Sequence, residues 1–212
     1  MRIADKVLQA RKLISLIADL NRGIKDVPII LEIDAYVAQY RADVAGLKSS
    51  STLDIGCGGN PRNPFRADHV YGLDIRGDGR GNIRYADLTV EPIPFPDNSF
   101  EFLTAYDFLE HVPRVIYAPE RRFPFVELMN EIWRVLKPNG VLLSSTPTFP
   151  FSEAFRDPTH VNIISHETFP MYFDDVNRHA AMYGFRGSFN VIGQARREFN
   201  LVSLLRKSEA CI

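Results

Sequence analysis

Cysteine is nearly absent: the 212 residues carry two, Cys57 and Cys211. Two thiols exclude a disulfide framework and a four-thiolate zinc site. No apolar run reaches the roughly 18 residues of a membrane span. The N-terminal stretch interrupts its apolar pattern with Arg2, Asp5, Lys6, Arg11 and Lys12, so it holds no signal-peptide core. A cytoplasmic, reduced location and no membrane partner are expected. Excess charge is missing as well: 25 Lys and Arg against 26 Asp and Glu leave a net charge of −1, which is not the balance of a chain built to hold a nucleic-acid backbone. Repeats, low-complexity segments and Gly/Ser linkers are lacking, so one structural domain is expected, with N-terminal helices over 1–48 packed on a body over 49–212.

What is present in surplus is proline and phenylalanine, 14 and 15 residues. They concentrate between Glu91 and Asp174, a region that plain helix and strand would not write this way. Before it, Ile3, Val7, Ile14 and Ile17 recur at helical spacing up to a stop at Asn21-Arg22-Gly23, and a second helix is expected over Glu32–Leu47. Both either pack plainly on the main sheet or partly cover a ligand mouth. From Ser51 on, Ser51–Ile55, His69–Asp74, Glu101–Tyr106 and Val141–Ser145 read as buried strands of an α/β sheet. A helix over about Phe125–Leu136 stops at Lys137-Pro138-Asn139-Gly140. Ser188–Ile192 and Glu198–Leu204, joined by Gly193-Gln194-Ala195-Arg196, read as a terminal antiparallel hairpin.

Leu53-Asp54-Ile55-Gly56-Cys57-Gly58-Gly59-Asn60-Pro61 sits where the first strand hands over to the next element. Glycines there let a backbone approach a ligand closely. As a dinucleotide loop it is poor: Pro61 takes the third small position of G-x-G-x-x-G, Asn60–Pro64 makes a weak helix start, and Asp54 aims a carboxylate at an anion. S-adenosylmethionine (AdoMet) carries an ammonium and a sulfonium, which a nearby carboxylate suits. An NAD-dependent oxidoreductase therefore ranks last.

The segment LDIGCGGNP resembles motif I of the class I, Rossmann-like AdoMet-dependent methyltransferases, with Asp54, Gly56 and Gly58 matching and Asn60 in place of the third glycine. The resemblance continues through Gly72-Leu73-Asp74-Ile75, through Ala86-Asp87-Leu88, through the Pro-rich connector Glu91–Phe102 and through Glu131–Ser145, covering roughly Ser51–Pro147. It implies an α/β fold: a three-layer sandwich around a mostly parallel seven-stranded sheet, closed by the C-terminal antiparallel hairpin and carrying the N-terminal helices. It implies that Asp54, Gly56, Gly58, Asp74, Ile75, Asp87, Leu88 and Tyr106 bind AdoMet, with Asp74 on the ribose, Asp87 at the adenine amino group, Leu88 against the ring and Tyr106 near the methyl end. One departure is the short stretch Asn60–Asp68, expected as a loop with about one helical turn.

Methyl transfer from a sulfonium needs alignment, plus a base where the acceptor is a hydroxyl. His111, after strand four, and His160, in Asp157-Pro158-Thr159-His160-Val161-Asn162 after strand five, are the candidate bases. Each has a plain alternative as a packing histidine. Asp107-x-x-Glu110-His111 with His160 also resembles the metal site of the small-RNA 2′-O-methyltransferases, with Asp107 for the first Glu. The region Tyr85–Pro113 has six acidic residues and no Lys or Arg, but those acids also suit a solvated rim, and no metal ligand is assigned. The expected protein is an AdoMet-dependent methyltransferase acting at oxygen on a small-molecule or glycan-like acceptor. The stretch Phe149–Phe173 is expected to shape the acceptor pocket, and Asp157-Pro158-Thr159-His160-Val161-Asn162 with its flanks resembles methyltransferases of surface-polysaccharide clusters. Its rivals are a metal-assisted RNA 2′-O-methyltransferase, to which the basic residues Arg178 to Lys207 would contribute, and a non-catalytic AdoMet-binding regulator. A homodimer stays open, since the N-terminal helices either close over the site or join two subunits.

Overall fold

Strand order places the site before any side chain does. In the computed structural model, which describes residues 22–41, 49–77 and 81–208 together with 7, 9–12 and 14, seven strands run in the order β3-β2-β1-β4-β5-β7-β6. They are β1 (Ser51–Ile55), β2 (His69–Asp74), β3 (Ile83–Tyr85), β4 (Phe100–Tyr106), β5 (Leu136–Pro147), β6 (Phe189–Arg197) and β7 (Asn200–Lys207). β1 to β5 are parallel. β7 is antiparallel to both β5 and β6. The chain leaves β1 towards β2 on one side and returns to β4 on the other, so a crevice opens at the carboxyl ends of β1 and β4.

Alternation along the strands supplies a core on each face. Leu53, Ile55, Leu73, Leu103 and Leu142 point to one side, where α3 (Pro124–Val135) lays down Leu128, Met129, Ile132 and Val135 at helical spacing. Pro124 at the start of α3 costs no hydrogen bond there. Phe102, Val141, Leu143, Val202 and Leu204 point to the other side, against Ile33 and Val37 of α2 (Ile33–Arg41) and against Phe65. Phe65 stacks on Phe102 with ring centroids 4.2 Å apart. α2 thus packs on the sheet, shorter than expected at its start and with residues 42–48 outside the described residues. The helix expected from Ile3 to Ile17 also falls largely outside them. Of its expected stop, Arg22 and Gly23 belong to the helical turn α1 (Arg22–Lys25). Among the described residues, no helix is long and apolar enough to cross a membrane.

Three boundaries differ from the sequence expectation. β5 begins at Leu136, and residues 137–140 bulge from it between the pairings Phe100–Leu136 and Phe102–Val141, with Asn139 at φ 63°. The hairpin turns at Glu198-Phe199, where Glu198 takes φ 54°. Gly193 lies inside β6 instead, where the hydroxyls of Tyr36 and Tyr40 come close: a Cβ there would lie 2.6 Å from Tyr36 Oη. The crossover 56–68 contains no helix at all.

Arg134 is a main anchor of the Pro-rich connector, beside Glu131 and Arg84. Arg134 of α3 donates to the carbonyls of Ile93 and Phe95 at 2.9 and 2.8 Å and pairs with Asp97 at 2.8 Å and Glu131 at 2.6 Å. Much of the phenylalanine surplus goes to the core, where Phe125, Phe173, Phe185 and Phe189 follow one another through ring contacts.

Candidate active site

The turn after β1 is shaped by its neighbours. Gly56 N and Cys57 N donate to Leu73 O at 2.8 and 3.1 Å, which bends the chain across the end of β2. Gly56 and Gly58 take φ of 66° and 61°. A Cβ on Gly56 would collide with the Phe108 ring, so this turn and the segment after β4 approach more closely than another residue allows.

Two carboxylates flank the turn. Asp74 ends β2 and accepts from Gly58 N at 2.8 Å with one oxygen and from Arg76 N and Nε at 2.9 and 3.0 Å with the other. Burial pushes its carboxyl up, but the hydrogen bonds from Arg76 and Gly58 outweigh that and hold it below its ordinary value. Asp54 is fully buried. It accepts from Thr104 Oγ1 at 2.6 Å and Arg62 N at 2.8 Å, so both oxygens are used inside the chain. Burial raises its carboxyl above the ordinary value despite these bonds.

The remaining residues expected at the cofactor lie around this turn. Ile75 follows Asp74 and is exposed, and Ala86 N donates to Asp74 O at 3.4 Å, which sets Asp87 beside the end of β2. Asp87 Oδ1 accepts from Thr89 N at 3.0 Å. Leu88 is buried in the main core. Tyr106 ends β4 with the Arg62 guanidinium 4.5 Å over its ring, and burial pushes its hydroxyl up.

The two histidines, 49 positions apart in sequence, meet. Leu109–His111 forms a 3-10 turn, and the 157–163 loop hangs from it. Val161 N and Asn162 N both donate to Glu110 O at 2.9 and 3.0 Å. Asn162 Nδ2 donates to Leu109 O at 3.0 Å, while Asn162 Oδ1 accepts from Arg114 Nε at 2.7 Å. The result places the His111 and His160 rings 4.9 Å apart at 75°. Thr159 has one hydroxyl hydrogen, which goes to Asp157 Oδ1 at 2.7 Å. His111 Nδ1, 3.0 Å from the same hydroxyl, must therefore be the donor, which leaves the lone pair on Nε2 of the neutral ring.

Beside them lies Glu110, only 1% exposed. Its Oε2 accepts from Thr146 Oγ1 at 2.7 Å. Its Oε1 has no hydrogen-bond partner among the described residues, and neither has His160 Nδ1. Burial pushes the Glu110 carboxyl up to about 7, against the Thr146 hydrogen bond. One ligand atom each from Glu110, His111 and His160 lies within 4.8 Å of the other two.

These groups line a cavity of about 420 Å³, together with Asp107, Asp157, Arg197 and Asn200. Asp107 sits at φ 47°, held by Asp107 N to Ser145 O at 2.8 Å and by Asn200 Nδ2 to its Oδ1 at 2.8 Å. Its carboxylate thus faces Asn200, and it stands outside the group of three. Of the aromatic stretch, Phe169 and Phe173 close the core, while Glu153, Arg156, Asp157 and His160 reach the cavity. A second cavity, of about 430 Å³, lies between Asn60–Pro64, Tyr106 and the start of α2, and Arg197 borders both. Asn200 and Arg197 escape sequence reasoning because their place depends on where the hairpin turns.

With this geometry in place, the comparisons with known proteins are consistent in kind. A family model described as a methyltransferase domain matches residues 53–144. The demethylmenaquinone methyltransferase of Listeria welshimeri is 33% identical over 124 residues, 49% of this chain and 48% of that protein. The demethylmenaquinone methyltransferase of Geobacillus kaustophilus is 27% identical over 127 residues, 51% and 50% of the two chains. The chain spans about half the length of the curated relatives it matches. Among solved structures, the cyclase SpnF superposes with a TM-score of 0.54 at 16% identity, covering 84% of this chain and 81% of that one. A SAM-dependent methyltransferase from Archaeoglobus fulgidus gives 0.51 at 16% identity, covering 82% and 93%. At such identities the structural likeness is one of fold. The family match ends at residue 144, before the loop of Asp157 and His160.

Proposed function

We propose that the chain, whose residues 53–144 match a methyltransferase-domain family model, is a class I, Rossmann-like AdoMet-dependent methyltransferase that methylates an oxygen of a small-molecule acceptor held in the cavity of Glu110, His111 and His160. The observation that carries this reading is the convergence of those side chains at the carboxyl edge of β4 and β5, next to the glycine turn.

The turn suits AdoMet on its own chemistry. It approaches its surroundings without a Cβ at Gly56, it has carboxylates at Asp54 and Asp74, and no helix N-terminus follows it to draw a phosphate. Bound AdoMet supplies an activated methyl carbon on a sulfonium, from which an acceptor oxygen displaces a neutral thioether. Asp74 accepts hydrogen bonds from the ribose hydroxyls in place of Arg76, and Asp87 and Ile75 border the adenine. Leu88 supports that side from within the core, and Tyr106 stands at the methyl end. Asp54 acts as a positioning residue that fixes the turn through Arg62 N and Thr104. On the acceptor side, the His111 lone pair on Nε2 takes the hydroxyl proton in the metal-free protein, with His160 beside it.

The relatives' name supports a small-molecule acceptor, and the near-neutral charge supports it over RNA. Calorimetry with AdoMet, its demethylated product and NAD tests the cofactor: AdoMet and the product bind, and binding of NAD alone overturns the reading. A labelled-methyl screen over phenols, quinols, glycans and RNA then tests the acceptor. Label in RNA alone would overturn the small-molecule assignment. His111→Ala is expected to lower kcat by about 10²- to 10⁴-fold with AdoMet affinity unchanged, and an unaltered rate would instead favour a non-catalytic role for the pair.

A further inference from the structure

The geometry points to a divalent transition-metal site formed by Glu110, His111 and His160 at the floor of the 420 Å³ cavity. The observation behind it is a pair of unsatisfied polar atoms. Glu110 Oε1 and His160 Nδ1 are buried and have no hydrogen-bond partner among the described residues. His160 has a side chain 9% exposed, and Glu110 is 1% exposed. Thr159 and Asp157 fix the His111 tautomer so that its free nitrogen also offers a lone pair. One potential ligand atom from each of the three side chains thus lies within 4.8 Å of the other two. A buried polar atom without a partner is destabilising, and a cation held among these side chains would supply one.

The loop architecture is built around the cluster. Glu110 O anchors both Val161 N and Asn162 N, so the carboxylate and the His160 loop are fixed to each other through backbone. Ligand atoms on one ion at about 2.1 Å lie roughly 3–4 Å from one another, so the 4.8 Å group need contract by only about 1 Å. Two imidazoles and one carboxylate favour the Mn²⁺, Co²⁺ and Zn²⁺ class over Mg²⁺ or Ca²⁺, which take oxygen ligands. All three residues line the cavity, so an ion held by them would be open to an acceptor oxygen there.

This rests on the proposed function only in reading the cavity as the acceptor site, and it alters one role there. With the ion in place, the imidazole lone pairs hold metal, the metal lowers the pKa of the acceptor hydroxyl, and the proton leaves to water.

The test uses the full chain, stripped with chelator and titrated with Co²⁺, followed by visible absorption, and with Mn²⁺, followed by electron paramagnetic resonance. One ion per chain is expected, with a cobalt spectrum of nitrogen and oxygen ligation. His160→Ala and His111→Ala should each weaken binding at least about tenfold, and thermal melts check that the variants fold. Glu110→Gln is the second probe, because it keeps the side-chain volume. Absence of binding to the wild-type chain, or equal binding in folded variants, overturns the site. AdoMet calorimetry on the same samples separates the two readings: metal without AdoMet leaves the site standing and sinks the proposed function, whereas AdoMet without metal does the reverse.

Discussion

At the scale of single residues, the glycine turn divides into positions that tolerate a side chain and positions that do not. Gly56 combines a left-handed φ with a Cβ position 2.7 Å from Phe108 Cγ, whereas Gly59 has nothing within 4 Å. Gly56→Ala is expected to cost about 2–4 kcal/mol from backbone strain and overpacking and to weaken AdoMet binding at least tenfold. Gly59→Ala should be near neutral in both, and melting curves with calorimetry make the comparison. Gly56, Gly58 and Asp74 were legible because their spacing follows the strands. The histidine pair was legible only as two candidates. Nothing in the sequence says that Asn162 and Arg114 draw the two loops together, since those bonds exist only after β4 and β5 have paired. Asp54 shows the opposite limit: its residue type suggested direct contact with a cation, yet Thr104, on the neighbouring strand, and Arg62 N use both of its oxygens.

At the scale of elements, the proposed function gives the 157–163 loop a part in acceptor chemistry and none in cofactor binding. Asn162 is fully buried and joins Leu109 O to Arg114. Asn162→Ala leaves those groups unpaired and should cost about 2–3 kcal/mol. It should also release His160 from His111, so methyl transfer falls while AdoMet affinity stays within about twofold. Equal losses in both would show that the loop supports the whole edge of the sheet. The strands themselves were readable from buried runs bounded by turns, with one exception in kind: β3 has three residues, two of them exposed, and so carries no such run. The hairpin turns five residues beyond the glycine that suggests a turn, since Gly193 answers a close approach by Tyr36, a contact from a helix more than 150 positions away.

At the scale of the molecule, a ligand that binds only the folded chain stabilises it by mass action. AdoMet at a hundred times its dissociation constant adds about 2.7 kcal/mol, which for a domain of this size raises the melting temperature by about 5–10 °C. NAD at the same concentration should leave it unmoved, and a scan of both decides.

The segment ahead of α2 is stitched to the turn of the hairpin. Ile30 N donates to Arg196 O at 2.9 Å, Arg196 N donates to Pro28 O at 2.7 Å, and Arg197 Nε donates to Leu31 O at 3.1 Å. The two backbone protons guard one another, since neither meets solvent until the segment lifts from the sheet. In hydrogen–deuterium exchange, the Ile30 and Arg196 amides should therefore exchange at matching rates. Because Arg197 borders both cavities, filling either one should slow both amides together, so this segment becomes a clock for occupancy beside it.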